Sequence, residues 1–147
     1  MNWNFKREEN LYPIVSEGKH RCRIIEAEMA ESKRGNDMFV LTLEFDGNEP
    51  TLRHYIVFMT DHPEITNRQL TSFFDSFGID DGNFDILDYI GKVGACMIRH
   101  KEDETYGTQA RVSYFIAKDK QGDLPPWSKA ELPHGKMQDI EDENLPF

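Results

Sequence analysis

An all-β domain with a single helix, followed by an acidic tail, is the fold class this sequence predicts. Three observations predict it. Strand-forming runs, two of them alternating strictly, are separated by turn residues; one stretch has the 3.6-residue period of a helix; and all periodicity is lost after residue 118. At 147 residues the chain suits one domain with a sizeable core plus a tail.

The first strand is "KHRCRIIEAEMAE", and "SKRGND" with Gly35 and Asn36 turns the chain. In "MFVLTLEF", the second strand, Phe39, Leu41, Leu43 and Phe45 share one face, and Met38, Val40, Thr42 and Glu44 share the other. "DGNEP" supplies the next turn, and "RHYIVFM" sets His54, Ile56 and Phe58 opposite Arg53, Tyr55, Val57 and Met59. The period then changes. In "TNRQLTSFFDSFGI", Leu70, Phe73, Phe74 and Phe77 fall at i, i+3, i+4 and i+7, so their stripe faces a core and caps the open end of a barrel. Thr66 with Gln69 reads as a capping box and Gly78 as the left-handed stop. A linking segment, "DGNFDILDYIGKVG", leads to the fourth and fifth strands, "VGACMIRHK" and "QARVSYFIAK". Beyond them, Pro and Gly scattered without period make a linker.

The order β-β-β-α-β-β is that of the OB-fold five-stranded β-barrel, whose second and third strands and whose loops one-two and four-five bind oligonucleotides. Those loops and faces carry suitable groups. Lys33 and Arg34 sit in loop one-two, Lys101 and Tyr106 in loop four-five, Arg53 and Tyr55 on strand three, Arg111 and Phe115 on strand five, and Lys19, Arg21 and Arg23 on strand one. Cations that track a phosphate backbone, interleaved with rings on which bases stack, are what single-strand binding requires. Taken singly, each is as well explained as the solvated face of an antiparallel sheet; their convergence is the signal. Trp3, Phe5 and Tyr12 are expected to pack against the barrel.

The formal net charge is −10; residues 128–147 carry two Lys against five Asp or Glu, which leaves −7 for residues 1–127. Bulk charge therefore excludes a general grip on duplex phosphate, and only a local basic groove serves. Of other chemistries, a zinc site from His20, Cys22, Cys96 and His100 has no finger or ribbon spacing, so buried structural thiols are the better reading. Asp80, Asp81, Asp85 and Asp88 lack a His or Lys at a spacing useful to a nuclease and read as a solvated loop. No metal, cofactor or enzyme activity is expected. "MNWNFKREEN" has neither a basic n-region nor an apolar h-region, and no apolar run approaches a membrane span; the expectation is a cytoplasmic protein with no membrane partner.

The chain closes on "DIEDENLPF": Asp139, Glu141, Asp142 and Glu143, then Leu145, Pro146 and Phe147. An acidic run steers an encounter, a terminal ring fills a pocket, and the α-carboxylate meets a basic residue beside it. This tip resembles that of bacterial and phage single-stranded-DNA-binding proteins, in which Asp residues are followed by Ile/Leu-Pro-Phe; Asn144 stands where that family has Asp. "AESKRGNDMFVLTLEF" looks more like small phage-encoded proteins that share the fold and the tail. The resemblance implies a protein, phage-encoded and working in the host-cell cytoplasm, that covers single-stranded DNA and recruits replication, recombination and repair proteins through its tip. The organisation expected is a DNA-binding domain over residues 1–118, a flexible linker over 119–137 and a partner-binding tip over 138–147. A homo-oligomer is compatible with this. The other reading is an adaptor whose barrel binds protein instead of DNA.

Overall fold

The computed structural model describes residues 1–5 and 13–129; Tyr12, the second part of the expected linker (130–137) and the tip (138–147) lie outside the described residues. Strands β1 (Gly18–Glu31), β2 (Asp37–Phe45), β3 (Leu52–Val57), β4 (Val93–Asp103) and β5 (Gly107–Phe115) form one antiparallel sheet in the order β3-β2-β1-β4-β5, and helix α1 (Pro63–Phe77) lies between β3 and β4 in the chain. The protein is mostly β with one helix, as its sequence predicts. The closed barrel is a correction: β3 and β5 are edges with no ladder between them among the described residues, so the sheet is open.

β1 is the strand on which the sheet turns. Gly18–Arg23 pair with β4 and Cys22–Glu31 with β2, so that Cys22 and Arg23 belong to both ladders, and a bulge between Ile24 and Glu26 interrupts the ladder with β2. One extra residue bends the strand and reverses which side chains face inward. Cys22 and Ile24 are buried before the bulge, while Ala27 and Met29 pair with the core residues Leu41 and Phe39 after it.

The apolar face of β2 is buried as its alternation predicts, and Leu70, Phe73, Phe74 and Phe77 of α1 pack into the same core. Burial of such side chains contributes about 1.5–3 kcal/mol each. Close approach of α1 to β4 depends on Gly94, where a Cβ would stand 2.8 Å from Phe77 Cδ1 and 2.8 Å from Ser76 Oγ. The Ser76 hydroxyl accepts the Ala95 N–H at 3.0 Å and donates to the Ala95 carbonyl at 2.9 Å. Gly78 ends α1 in the left-handed conformation (φ 68°). The start of α1 differs from the capping-box reading. Pro63, which lacks an N–H and is preset in φ, takes the first turn. Thr66 is thereby inside the helix, its hydroxyl accepting the Met59 N–H and donating to the Val57 carbonyl, both at 2.8 Å.

Three further points depart from the sequence reading. Trp3 and Phe5 are exposed instead of packed on the sheet. β5 ends at Phe115, and Lys118–Lys120 form a 3-10 turn. Residues 119–129, the first part of the expected linker, run back along the sheet and make specific contacts there. The Gln121 side chain is buried and donates to Ile116 O at 2.8 Å and Ser76 O at 3.1 Å, and Ser128 Oγ donates to Asp46 at 2.9 Å. Composition alone gives no sign of these contacts.

Candidate nucleic-acid interface

Of the eleven residues expected to meet a single strand, Lys19 stands apart at the exposed end of β1, 3.5 Å from Asp123, and the other ten fall into three groups. Arg21, Arg23 and Phe115 are engaged within the protein. Lys33, Arg34, Lys101 and Tyr106 stand on two hairpin tips. Arg53, Tyr55 and Arg111 come together in a groove.

The first group is explained by what covers it. Arg21 donates to Pro125 O at 2.7 Å and to Gln121 Oε1 at 2.8 Å. Arg23 is only 6% exposed; it pairs with Glu44 at 2.7 Å and lies under the Trp127 ring, 4.9 Å from its centroid. A guanidinium removed from water in this way needs both its carboxylate and its ring. Phe115 belongs to the core, 5.5 Å from the Phe77 ring and 5.6 Å from the Phe73 ring. It turns inward because the β4–β5 ladder shifts register: Ile98 pairs with Val112 but Met97 with Tyr114, leaving Ser113 as the extra residue. Parity flips there, so Phe115 faces the core and Tyr114, which the sequence reading passed over, faces out at 47% exposure.

The hairpin tips are shaped by their own turn chemistry. In the β1–β2 tip, Ser32 accepts the Gly35 N–H on its carbonyl at 2.9 Å and the Asn36 N–H on its hydroxyl at 3.1 Å, with Gly35 at φ 86°. That leaves Lys33 and Arg34 exposed. In the β4–β5 tip, the Asp103 carboxylate accepts the N–H groups of Tyr106 (2.9 Å) and Thr105 (2.7 Å), bonds that hold its pKa below the usual range. Tyr106 stands out at 75% exposure. Lys101 is exposed opposite Gln109 in the ladder.

Between edges β3 and β5 lies a groove of about 400 Å³, floored by Ile14, Val15, Leu52 and Ala110. Arg53 and Tyr55 on one side and Gln109 and Arg111 on the other form its walls, and none of the described residues lining it is acidic. Tyr55 is 48% exposed. Arg53 has no hydrogen bond or ion pair with any described residue; Arg111 has only the Gln109 amide oxygen, at 2.9 Å. The floor segment 13–15 is absent from any motif, and it is held by the Val15 carbonyl, which His100 Nε2 engages at 2.7 Å, and by Ser16, whose hydroxyl donates to Glu49 at 2.6 Å. Beneath the seam, His54 meets the edge of Phe115 at 5.1 Å, and burial pushes its imidazole down to about 4.

Elsewhere, Cys22 and Cys96 are buried free thiols with their sulfurs 4.0 Å apart, and burial pushes the Cys22 thiol up. His20, whose Nε2 engages the Ser16 carbonyl at 2.7 Å, and His100 are turned to backbone partners. Among the described residues no three His, Cys, Asp or Glu side chains are grouped to hold a metal ion, and no helix is long and apolar enough to cross a membrane. The chain matches no family model and no curated protein sequence.

Proposed function

We propose that the chain is a single-stranded-DNA-binding protein built on a partly open OB-type barrel, with the phosphodiester backbone and its bases carried in the β3–β5 groove. The single observation that carries this reading is the groove itself: two arginines and a tyrosine line it without a carboxylate among the described residues, in a chain of net charge −10. The sheet order supports the barrel, because β3 and β5 are the edges that a curled sheet brings together, and His54 and Phe115 touch across that gap. Cations at the groove neutralise phosphates, and Tyr55 and Tyr106 offer ring faces to bases of any identity, so binding is without sequence preference and without catalysis. Lys33, Arg34 and Lys101 extend the positive path at the hairpin tips. The terminal Leu145, Pro146 and Phe147, after their acidic run, recruit replication and recombination proteins in the cytoplasm of the (phage-infected) host cell.

Titration of the purified full chain with fluorescent oligo-dT at several salt concentrations tests this. Affinity should fall with salt, with a log–log slope of about −0.7 for each phosphate neutralised. Absence of binding at low salt sinks the proposal and promotes the adaptor.

A further inference from the structure

The seam between β3 and β5 does not end at Arg111. Beyond it, between β5 and α1, a second groove of about 330 Å³ opens, lined by Val112, Ser113, Tyr114 and Phe115 of β5, by His54 of β3, and by Arg68, Gln69 and Ser72 of α1. The two grooves are neighbours along the same strands, since Leu52 and Ala110 line the first, and His54 and Val112, two residues further along and on the same side of β3 and β5, line the second. Like its neighbour, the second groove has no acidic residue in its lining among the described residues. Its floor is apolar and aromatic. His54, held neutral near pH 7 by burial, adds no charge to it.

Two side chains give this groove a chemistry. Tyr114 is turned outward by the Ser113 bulge and stands on the exposed side of β5. Arg68 is exposed on α1, with no hydrogen bond or ion pair to any described residue, although Glu64 lies one turn before it; that carboxylate is 3.7 Å from His62 instead. A ring face beside an unneutralised guanidinium, over an apolar floor, is the pairing that holds a base and its phosphate. We infer that the groove of His54, Arg68 and Tyr114 is a second nucleotide subsite, through which a single strand leaving the Arg53–Arg111 groove continues along β5 to α1. Tyr114 stacks a base, and Arg68 takes the adjoining phosphate. This rests on the proposed single-strand binding and extends the path beyond the strand-three face and the hairpin loops.

The test uses the full chain and fluorescent oligo-dT of about twelve nucleotides, within the 4–16 nucleotides that one such barrel covers. Tyr114→Ala should weaken binding about 5- to 100-fold, the loss of one stacked base, while Tyr114→Phe, which keeps the ring, should bind as wild type. Arg68→Gln should weaken binding and make the salt slope shallower by about 0.7. Lys120→Gln removes the same charge from a residue that lines neither groove and should leave the slope unchanged. Should circular dichroism show that Tyr114→Ala does not fold, Arg68→Gln on the helix surface decides alone. Wild-type affinity and slope in Tyr114→Ala and Arg68→Gln, or an equal change of slope in Lys120→Gln, overturns the subsite and leaves the first groove standing. If the wild-type protein itself binds no oligo-dT, single-strand binding falls and this subsite with it.

Discussion

The outer face of β1 and the β3–β5 seam look alike in the sequence, both carrying cations on the side of a strand that alternation turns to solvent, yet the protein treats them in opposite ways. On β1, residues 121–129 lie over the stripe: Arg21 is bound to Gln121 and Pro125, and Arg23 to Glu44 and Trp127. At the seam no segment among the described residues covers Arg53 and Arg111, and neither has an ion pair with a described residue, the charge of Arg111 reaching the Asp103 carboxylate only at longer range. Alternation identifies which side of a strand a cation takes. What lies over that side decides whether the charge holds the protein together or is left for a ligand. The comparison predicts that β1 cations matter to stability and seam cations to binding.

The largest effect expected lies under the seam. His54 has its pKa depressed to about 4 from an ordinary 6.5 by burial, so between those values the unfolded chain binds the proton more readily than the folded one. The contribution of this group to stability is therefore full above pH 6.5, falls as pH drops through that window, and levels off below about 4. The loss from this one group is about 3 kcal/mol. His54→Leu should flatten that part of the pH profile in urea unfolding, and an NMR titration of the wild-type imidazole should show no protonation near pH 6. An imidazole titrating at its ordinary value would mean that water enters between β3 and β5, and the floor of both grooves would be wet.

Next comes Arg23→Ala. Loss of one partner of a buried ion pair costs about 3–5 kcal/mol; here Lys129, 3.4 Å from Glu44, still compensates the carboxylate, so about 2 kcal/mol is expected. Thermal unfolding measures it. Oligo-dT affinity, taken well below the unfolding temperature, should not change. A variant that kept its stability but lost DNA would reverse the assignment of the two faces.

Much of this architecture is legible in the sequence, and the parts that are not have identifiable causes. The inward face of β2 and the Phe stripe of α1 follow from period alone because both elements are regular and pack on one side. Arg53, Tyr55 and Arg111 are placed correctly on the outer side for the same reason. Phe115 and Tyr114 are exchanged because period-two counting has no means of seeing that Ser113 is an extra residue opposite the Met97–Ile98 step. The engagement of Arg21 and Arg23 within the protein is not legible, because Gln121, Pro125 and Trp127 lie about a hundred residues away, in a stretch whose Pro and Gly content reads as linker. Openness of the sheet depends on how far β3 and β5 curl toward each other, which no local pattern records.

Smaller changes separate the roles within the seam. Tyr55→Ala and Tyr106→Ala should each weaken oligo-dT binding by on the order of 1–3 kcal/mol, since both rings are exposed and neither supports the core. Arg53→Ala and Arg111→Ala should each make the salt slope shallower by about 0.7 and leave the urea midpoint where it was. If the tyrosine variants bind as wild type while the arginine variants do not, the groove holds a backbone without stacking its bases.

The smallest effect belongs to Lys19, at the exposed end of the β1 stripe. Its ammonium lies 3.5 Å from Asp123, and both groups are well exposed, so water screens the pair and the long side chain loses entropy in making it. Lys19→Ala should therefore shift stability by no more than about 0.5 kcal/mol, within reach of a careful denaturant midpoint. Arg23 to Arg21 to Lys19 is thus a graded series, from a guanidinium shut under Trp127, through one bound to backbone carbonyls, to an ammonium in solvent. Stability losses should fall in that order. Lys19 is also the member of the stripe most open to a phosphate, which makes it the sharpest probe of the comparison. An unchanged salt slope for oligo-dT confines the DNA path to the seam and its hairpin tips. A slope shallower by about 0.7 would carry the path across β1, and the segment 121–129 would then be a cover over part of the binding face instead of a brace.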